Sequence, residues 1–239
     1  MSDADLFKVY HFDNKIRLGA SNDGGYVIAH LDCDYDCYIS AGVSNEESFS
    51  RDFIHKYDMN EYNCFGFDGT IQSYPYEYTN KISFIRKNIN FFNDDNNCNL
   101  SYLINKYNNI FLKMDIEGSE YPWLLSLETS ELNKFGQIVM ELHGITDGTW
   151  GCDYRIKMNC IAKISKTHYI VHAHGNNYSE VCNQFPNVIE LTFVHKRFFE
   201  CEPPLNSLPL PCHLDHPNNP TINDIDLNFY PFVYDVHNK

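Results

Sequence analysis

Asn109-Ile110-Phe111-Leu112-Lys113-Met114-Asp115-Ile116-Glu117-Gly118-Ser119-Glu120 is an apolar run that breaks into three acids around one glycine. The run reads as a strand and the acidic stretch as its turn into a helix. In an open α/β sheet the carboxyl ends of the strands form the ligand-binding edge. Carboxylates held there can steer a hydroxyl, a cation or a metal. Gln137-Ile138-Val139-Met140-Glu141-Leu142-His143 repeats the plan. Glu141 and His143 share one strand face because side chains alternate with period two.

Strands and helices alternate on both sides of this pair. Cys37-Tyr38-Ile39-Ser40 reads as a strand entering the turn Ala41-Gly42-Val43-Ser44, and a helix is expected from Glu46 to Tyr57. Asn63 to Phe67 is a second strand ending at Asp68, and Lys81 to Ile89 a third. Short helices are expected over Asn99–Tyr107, Glu120–Leu127, Glu131–Phe135 and Tyr154–Ser165. Tyr169–His174 and Val188–Val194 read as closing strands joined without a long helix, hence antiparallel. Repeated βα units predict a doubly wound, mostly parallel sheet with helices on both faces.

One domain is expected, with an N-terminal cap segment over 1–34, a core over 35–200 and a proline-rich tail over 201–239. The tail should be irregular and pack across the core. No internal repeat is apparent.

The chain has 239 residues and a formal net charge of -14. No basic block offsets that charge, which argues against a nucleic-acid partner. The nine cysteines include no CxxC pair, so buried free thiols are expected in place of a disulfide framework or a zinc site. The acidic start lacks an apolar signal core, and no apolar run approaches the roughly 18 residues that span a bilayer. A cytoplasmic protein with no membrane partner is the expectation.

Each polar feature has a plain structural reading beside a functional one. The glycine of Ser40-Ala41-Gly42 admits a ligand to the backbone or simply makes a tight turn. It is not a G-x-G-x-x-G loop, which counts against a nicotinamide or flavin. Asp68 is placed to accept ribose hydroxyls, or to cap a helix. Asp115, Glu117 and Glu120 repel one another unless a cation or helix amides compensate them. Glu141 with His143 can make a general base or two metal ligands, or a satisfied structural histidine. His172 and His174 repeat that spacing and precede Gly175-Asn176-Asn177, whose amides suit hydroxyl groups.

These residues resemble a family. Lys113-Met114-Asp115-Ile116-Glu117-Gly118-Ser119-Glu120 is similar to the K-x-D-x-E-G-x-E signature of FkbM-type methyltransferases, and Glu141-Leu142-His143 to that family's acidic strand end. The resemblance covers about Tyr35 to Phe199. Asp23-Gly24-Gly25-Tyr26, His172 to Asn177 and Glu190-Leu191-Thr192-Phe193 resemble a glycan-modifying branch. The resemblance implies a Rossmann-like class I methyltransferase fold with an antiparallel last strand. It implies an S-adenosylmethionine-dependent O-methyltransferase acting on a sugar, nucleotide-sugar or glycan hydroxyl. Ser40, Ala41, Gly42, Asp68, Asn88 and Ile89 would then bind the cofactor. Asp23, Tyr26, Glu117, Asn176 and Asn177 would face the acceptor. Asp115, Glu141, His143 and His174 would carry the chemistry. His143 or His174 would be the base, and Asp115 with Glu141 would orient it or hold a divalent cation, whose ligands would be Asp115, Glu141 and His143. The first-strand loop departs from the family's Asp-x-Gly-x-x-Gly, and Asp68 stands where the family has Glu. Two other readings are a nucleotide-sugar dehydrogenase or epimerase, and a non-catalytic glycan- or protein-binding module on a degenerate methyltransferase fold.

Overall fold

The computed structural model of the chain describes residues 2–148 and 152–234. Residue 1 of the N-terminal segment and residues 235–239 of the tail lie outside the described residues. The central sheet has seven strands: β1 (Cys37–Ala41), β2 (Cys64–Phe67), β3 (Ser83–Ile85), β4 (Ile110–Met114), β5 (Phe135–His143), β6 (His168–Gly175) and β7 (Val188–His195). Their spatial order is β6-β7-β5-β4-β1-β2-β3. Pairings from β5 through β3 are parallel, while β7 runs antiparallel to both β5 and β6. The mostly parallel α/β sheet and its antiparallel closing strand follow the sequence pattern.

Alternation along the central strands sends neighbouring residues into different layers. Ile39, Leu112 and Ile138 join the larger cluster with Trp123 and Ile161; Tyr38, Phe111 and Val139 join the other with Phe49 and Phe53. Helix α1 (Ser48–Lys56) covers the aromatic layer, where the Phe53 ring lies 4.6 Å from Tyr38 and 4.2 Å from Phe111. Helices α2 (Ser101–Lys106), α3 (Glu120–Ser126), α4 (Thr129–Leu132) and α5 (Tyr154–Ile164) supply the other layer. Asp153 caps α5 by accepting from the Ile156 amide at 3.1 Å. Burial on both faces explains why β5 is buried along all nine residues.

Boundaries moved where local charge or capping intervened. The expected strand over 81–89 divides at the exposed Arg86: Ser83–Ile85 joins the sheet, and Asn88–Ile89 pairs with Asn97–Cys98 instead. The helix expected at Glu131–Phe135 is a short turn, Thr129–Leu132, because Glu128 and Glu131 close a capping box and Phe135 already begins β5. Only Cys37, Cys64, Cys98 and Cys160 of the thiols are buried; all nine are free.

An N-terminal hairpin, Lys15–Leu18 with Tyr26–Ala29, packs beside the sheet. The tail has no helix or extended strand among its described residues, and it drives Leu210, Leu227 and Phe232 into the larger core cluster.

Gly42 ties the strand ends together. Its φ is +83°, and a Cβ there would stand 1.6 Å from the Asp115 carbonyl oxygen. The glycine is therefore required by the backbone of the β4 end, a different reason from ligand approach. Gly42→Ala should destabilise the fold by about 3 kcal/mol or more in urea unfolding. Gly66→Ala, where the nearest atom is 3.4 Å away, should cost about 1 kcal/mol or less. Equal effects would remove the claim.

Candidate functional site

Two clefts open where the parallel strands end. The larger, about 640 Å³, lies over β1, β2 and β4, with Gly42, Val43, Asp68, Asn88, Ile89 and Asp115 in its walls. The smaller, about 420 Å³, lies over β5 and the β6 end, with Glu141, His143, Asn176 and Tyr178. Asp23, Asp115 and Glu117 line both, so they stand at the junction.

In the larger cleft two expected residues are absent from the walls. Ser40 and Ala41 are wholly buried inside the sheet, because β1 is flanked by strands on both sides and only residues beyond its end can reach the opening. The Ser40 hydroxyl instead donates to Glu47 Oε1 at 2.9 Å. Gly42, Val43, Ser44 and Asn45 take the wall positions.

Asp68 lines the cleft and organises its floor. Its Oδ2 accepts from the amides of Val43 and Ser44 at 3.1 and 2.9 Å, and its Oδ1 from the Thr70 amide and hydroxyl at 2.7 and 2.6 Å. Burial works to raise its pKa, but these donors outweigh burial and hold it below the usual carboxylate range. All of the roughly four lone-pair directions of the carboxylate are engaged, so a ribose hydroxyl can bond Asp68 only by replacing Thr70 or sharing an oxygen. Asn88 and Ile89 are placed in the wall as expected.

Glu47 was not singled out from the sequence. It is buried beneath the cleft, accepting from Ser40, Ser50 and Tyr74. Burial raises its pKa, offset by Lys113 and by these hydroxyls. Lys113 is buried too: its Nζ donates to the Gly42 carbonyl at 2.6 Å and lies 5.8 Å from the Tyr26 ring centre. The only signal for Glu47 was its position in the β1–α1 turn, where charge also serves solvation.

At the junction the β4–α3 turn is tightly specified. The Asp115 amide donates to Ala41 O at 2.9 Å, and the Ile116 amide to Glu120 Oε1 at 3.1 Å. Glu117 takes a φ of +57°, a conformation that few non-glycine residues hold, and its side chain is 70% exposed. Glu120 is wholly buried and accepts from His143 Nδ1 at 3.1 Å. The other ring nitrogen, Nε2, lies 3.4 Å from Glu117, 3.7 Å from Asp115 and 3.9 Å from Glu141. Burial would lower the His143 pKa, but Glu120 first, then Glu141 and Asp115, raise it to about 9. At neutral pH the ring therefore carries a proton and does not serve as a base.

Glu141 is buried, receives Asn176 Nδ2 at 2.7 Å and has the Tyr26 hydroxyl 3.4 Å away. Burial first, then Asp115 and Glu190, push its pKa well up. Asp23 stands at the junction, Tyr26 in the wall of the larger cleft and Asn176 in that of the smaller.

His174 and Asn177 do not reach either cleft. His174 is clamped between Glu190 of β7 and Asp224 of the tail, each at 3.0 Å. Asn177 binds the tail backbone at Asn219, Ile222 and Asn223. His172 meets Asp215 at 2.8 Å. Strand β7 separates β6 from β5, so equal spacing on two strands does not bring these histidines to one place. The sequence assignment of His174 to the chemistry and of Asn177 to the acceptor is corrected: both residues fasten the tail.

No known protein family matches this chain, and no curated protein does. Among the described residues, no helix is long and apolar enough to cross a membrane.

The tail clasp predicts a pH dependence. Burial lowers the His174 pKa, but Glu190 and Asp224 outweigh it and raise it to about 11. A raised folded-state pKa gives stability that is complete below the unfolded value, about 6.5, and is lost as pH climbs toward 11. Urea stability should thus fall between pH 6.5 and 10 more steeply in the wild type than in His174→Gln. Parallel slopes for the two proteins would show that the clasp carries no protonation linkage.

Proposed function

We propose that the chain is an S-adenosylmethionine-dependent O-methyltransferase acting on a hydroxyl of a sugar or glycan. The observation that carries this reading is the meeting of two clefts at Asp23, Asp115 and Glu117, at the carboxyl edge of parallel strands. Ligands of open α/β sheets bind at that edge. The larger cleft falls within the roughly 300–1,000 Å³ usual for small-molecule sites. The antiparallel strand in an otherwise parallel sheet accords with the fold that the resemblance implies.

The residues fit such a donor. Ile89 and Phe67 offer apolar wall to an adenine, Asp68 faces the space for a ribose, and the acids of the junction suit a cationic ligand. S-adenosylmethionine, when bound, supplies a methyl carbon on a positively charged sulfur. Asn176, Tyr178 and Glu141 stand where an acceptor would lie, and Tyr178, exposed at the rim, can pack on a sugar ring. Asp115 faces both clefts and is the carboxylate placed to receive the hydroxyl proton. In the ion-free site, protonated His143 holds the surrounding acids in position by charge.

Isothermal titration with S-adenosylhomocysteine tests the reading. Wild type should bind at micromolar concentrations, Asp115→Asn within a few-fold of it, and Asp68→Ala at least about tenfold more weakly, since the β1 turn loses its anchor. With acceptor sugars supplied, Asp115→Asn should lose methyl transfer. Absence of binding at high micromolar ligand would sink this function and favour a non-catalytic binding module.

A further inference from the structure

The junction of the two clefts is spaced like an ion site. His143 Nε2 stands 3.4 Å from Glu117 Oε2 and 3.7 Å from Asp115 Oδ1. Both distances exceed the N–H···O range of about 2.7–3.2 Å. Two ligands at about 2.1 Å from one ion, at angles of roughly 90–110°, stand about 3.0–3.4 Å apart, so Glu117 already has that spacing and Asp115 would close on Nε2 by about 0.3 Å. Ligand atoms of Asp115, Glu117 and His143 all lie within 4.8 Å of one another. Behind the ring, Nδ1 faces Glu120 Oε1 at 3.1 Å. A carboxylate in that place orients a metal-bound histidine and fixes its tautomer.

A separate observation concerns charge. Glu120 is wholly buried, and its Oε2 has no hydrogen-bond partner. Glu141, buried as well, stands 3.9 Å from the same Nε2. One imidazole thus faces four carboxylates, two of them removed from water, and a cation among them would offset their mutual repulsion.

We propose that Asp115, Glu117 and His143 bind a divalent cation of the manganese or magnesium kind at this junction, the ion taking the place of the proton on His143 Nε2. Glu120 orients the imidazole, and Glu141, held by Asn176, stays outside the ligand set. The set therefore differs from the sequence expectation by Glu117 in place of Glu141. Two carboxylate oxygens and one imidazole nitrogen suit such ions, and the side facing the clefts leaves room for water or a hydroxyl. The ion's presence does not depend on methyl transfer; its role does, and rests on the function proposed above. There it would lower the pKa of the acceptor hydroxyl. With Asp115 engaged, the hydroxyl proton would leave to water on the side of the site that faces the clefts. The C–O bond would then form as the C–S electron pair stays with sulfur, leaving a neutral thioether.

Among the described residues, His172, Cys212 and Asp215 form a second cluster with ligand atoms within 4.8 Å. There His172 Nε2 and Asp215 already pair at 2.8 Å, and Lys15 Nζ lies 3.5 Å from Nδ1, where a metal-bound ring needs an acceptor. That cluster serves as the control.

The experiment is a titration of the full chain, treated with chelator and dialysed, with Mn²⁺ alone, following the free-ion signal by electron paramagnetic resonance. Wild type should take up one Mn²⁺ per chain. Glu117→Gln, changed at an exposed side chain, should bind at least about tenfold more weakly, and Cys212→Ser should match wild type. No uptake at about 1 mM ion, equal binding by Glu117→Gln, or loss in Cys212→Ser would each overturn the proposal. Titrating S-adenosylhomocysteine into the same preparation separates the two ideas. Its binding without Mn²⁺ uptake defeats the ion alone, and Mn²⁺ uptake without its binding defeats the methyltransferase alone.

Discussion

The close contact of Gly42 with the end of β4 sets the geometry on which both clefts rest. The Gly42 amide donates to Phe67 O at 3.0 Å, its carbonyl receives Lys113 Nζ at 2.6 Å, and the Asp115 amide donates to Ala41 O at 2.9 Å. Three strand ends are thus knotted at a residue without a side chain. Each of those bonds joins buried or half-buried backbone, where an unmade hydrogen bond costs about 1–3 kcal/mol. Asp115 cannot shift relative to the β1 turn without breaking them. That is why one carboxylate can face two openings at a fixed position.

The sheet was legible because burial on both faces writes long apolar runs into β4 and β5, and a strand-ending acid needs no partner to be noticed. The junction was legible for the same reason: Asp115, Glu117 and Glu120 are close in sequence, and Glu141 with His143 lies on the adjacent parallel strand. Other features depend on contacts between distant segments. His174 looked equivalent to His143 until Asp224, fifty residues later, was found against it. Asn177 looked like a hydroxyl-binding loop residue, yet its amide serves four backbone groups of the tail. Glu47 carries no periodic signal, because its partners Ser40 and Tyr74 come from a strand and a loop. Propensity and spacing describe neighbours along the chain; the tail obeys neither, since its order comes from the surface it covers.

The tail matters to the site through one side chain. Asn218 is buried, and its Nδ2 donates to Glu190 Oε1 at 2.7 Å and to Asp23 Oδ1 at 3.2 Å. Asp23 lies at the junction of the clefts, so the proline-rich segment reaches the candidate site indirectly. Asn22 adds a second tie, donating to Pro217 O at 2.8 Å. The N-terminal turn is therefore gripped by residues about two hundred positions away. Each such bond is a modest net contribution, on the order of 1 kcal/mol, but together they hold the Asp23 turn at the cleft junction in register with β6 and β7.

Charge at the junction constrains any methyl transfer there. A sulfonium is cationic before transfer and neutral after it, so fixed carboxylates nearby stabilise the reactant more than the transition state. At about 4 Å and an effective dielectric near 20, one carboxylate stabilises such a charge by roughly 4 kcal/mol. Left bare, the acids around His143 would bind the donor well and slow its reaction. A protonated His143 offsets one negative charge, and Lys113, tied to Gly42, contributes from the other side. The hydroxyl proton adds one further positive charge only as it leaves. The ion proposed at Asp115, Glu117 and His143 would replace the imidazole proton with a larger positive charge and set it beside the acceptor oxygen, where developing negative charge needs it.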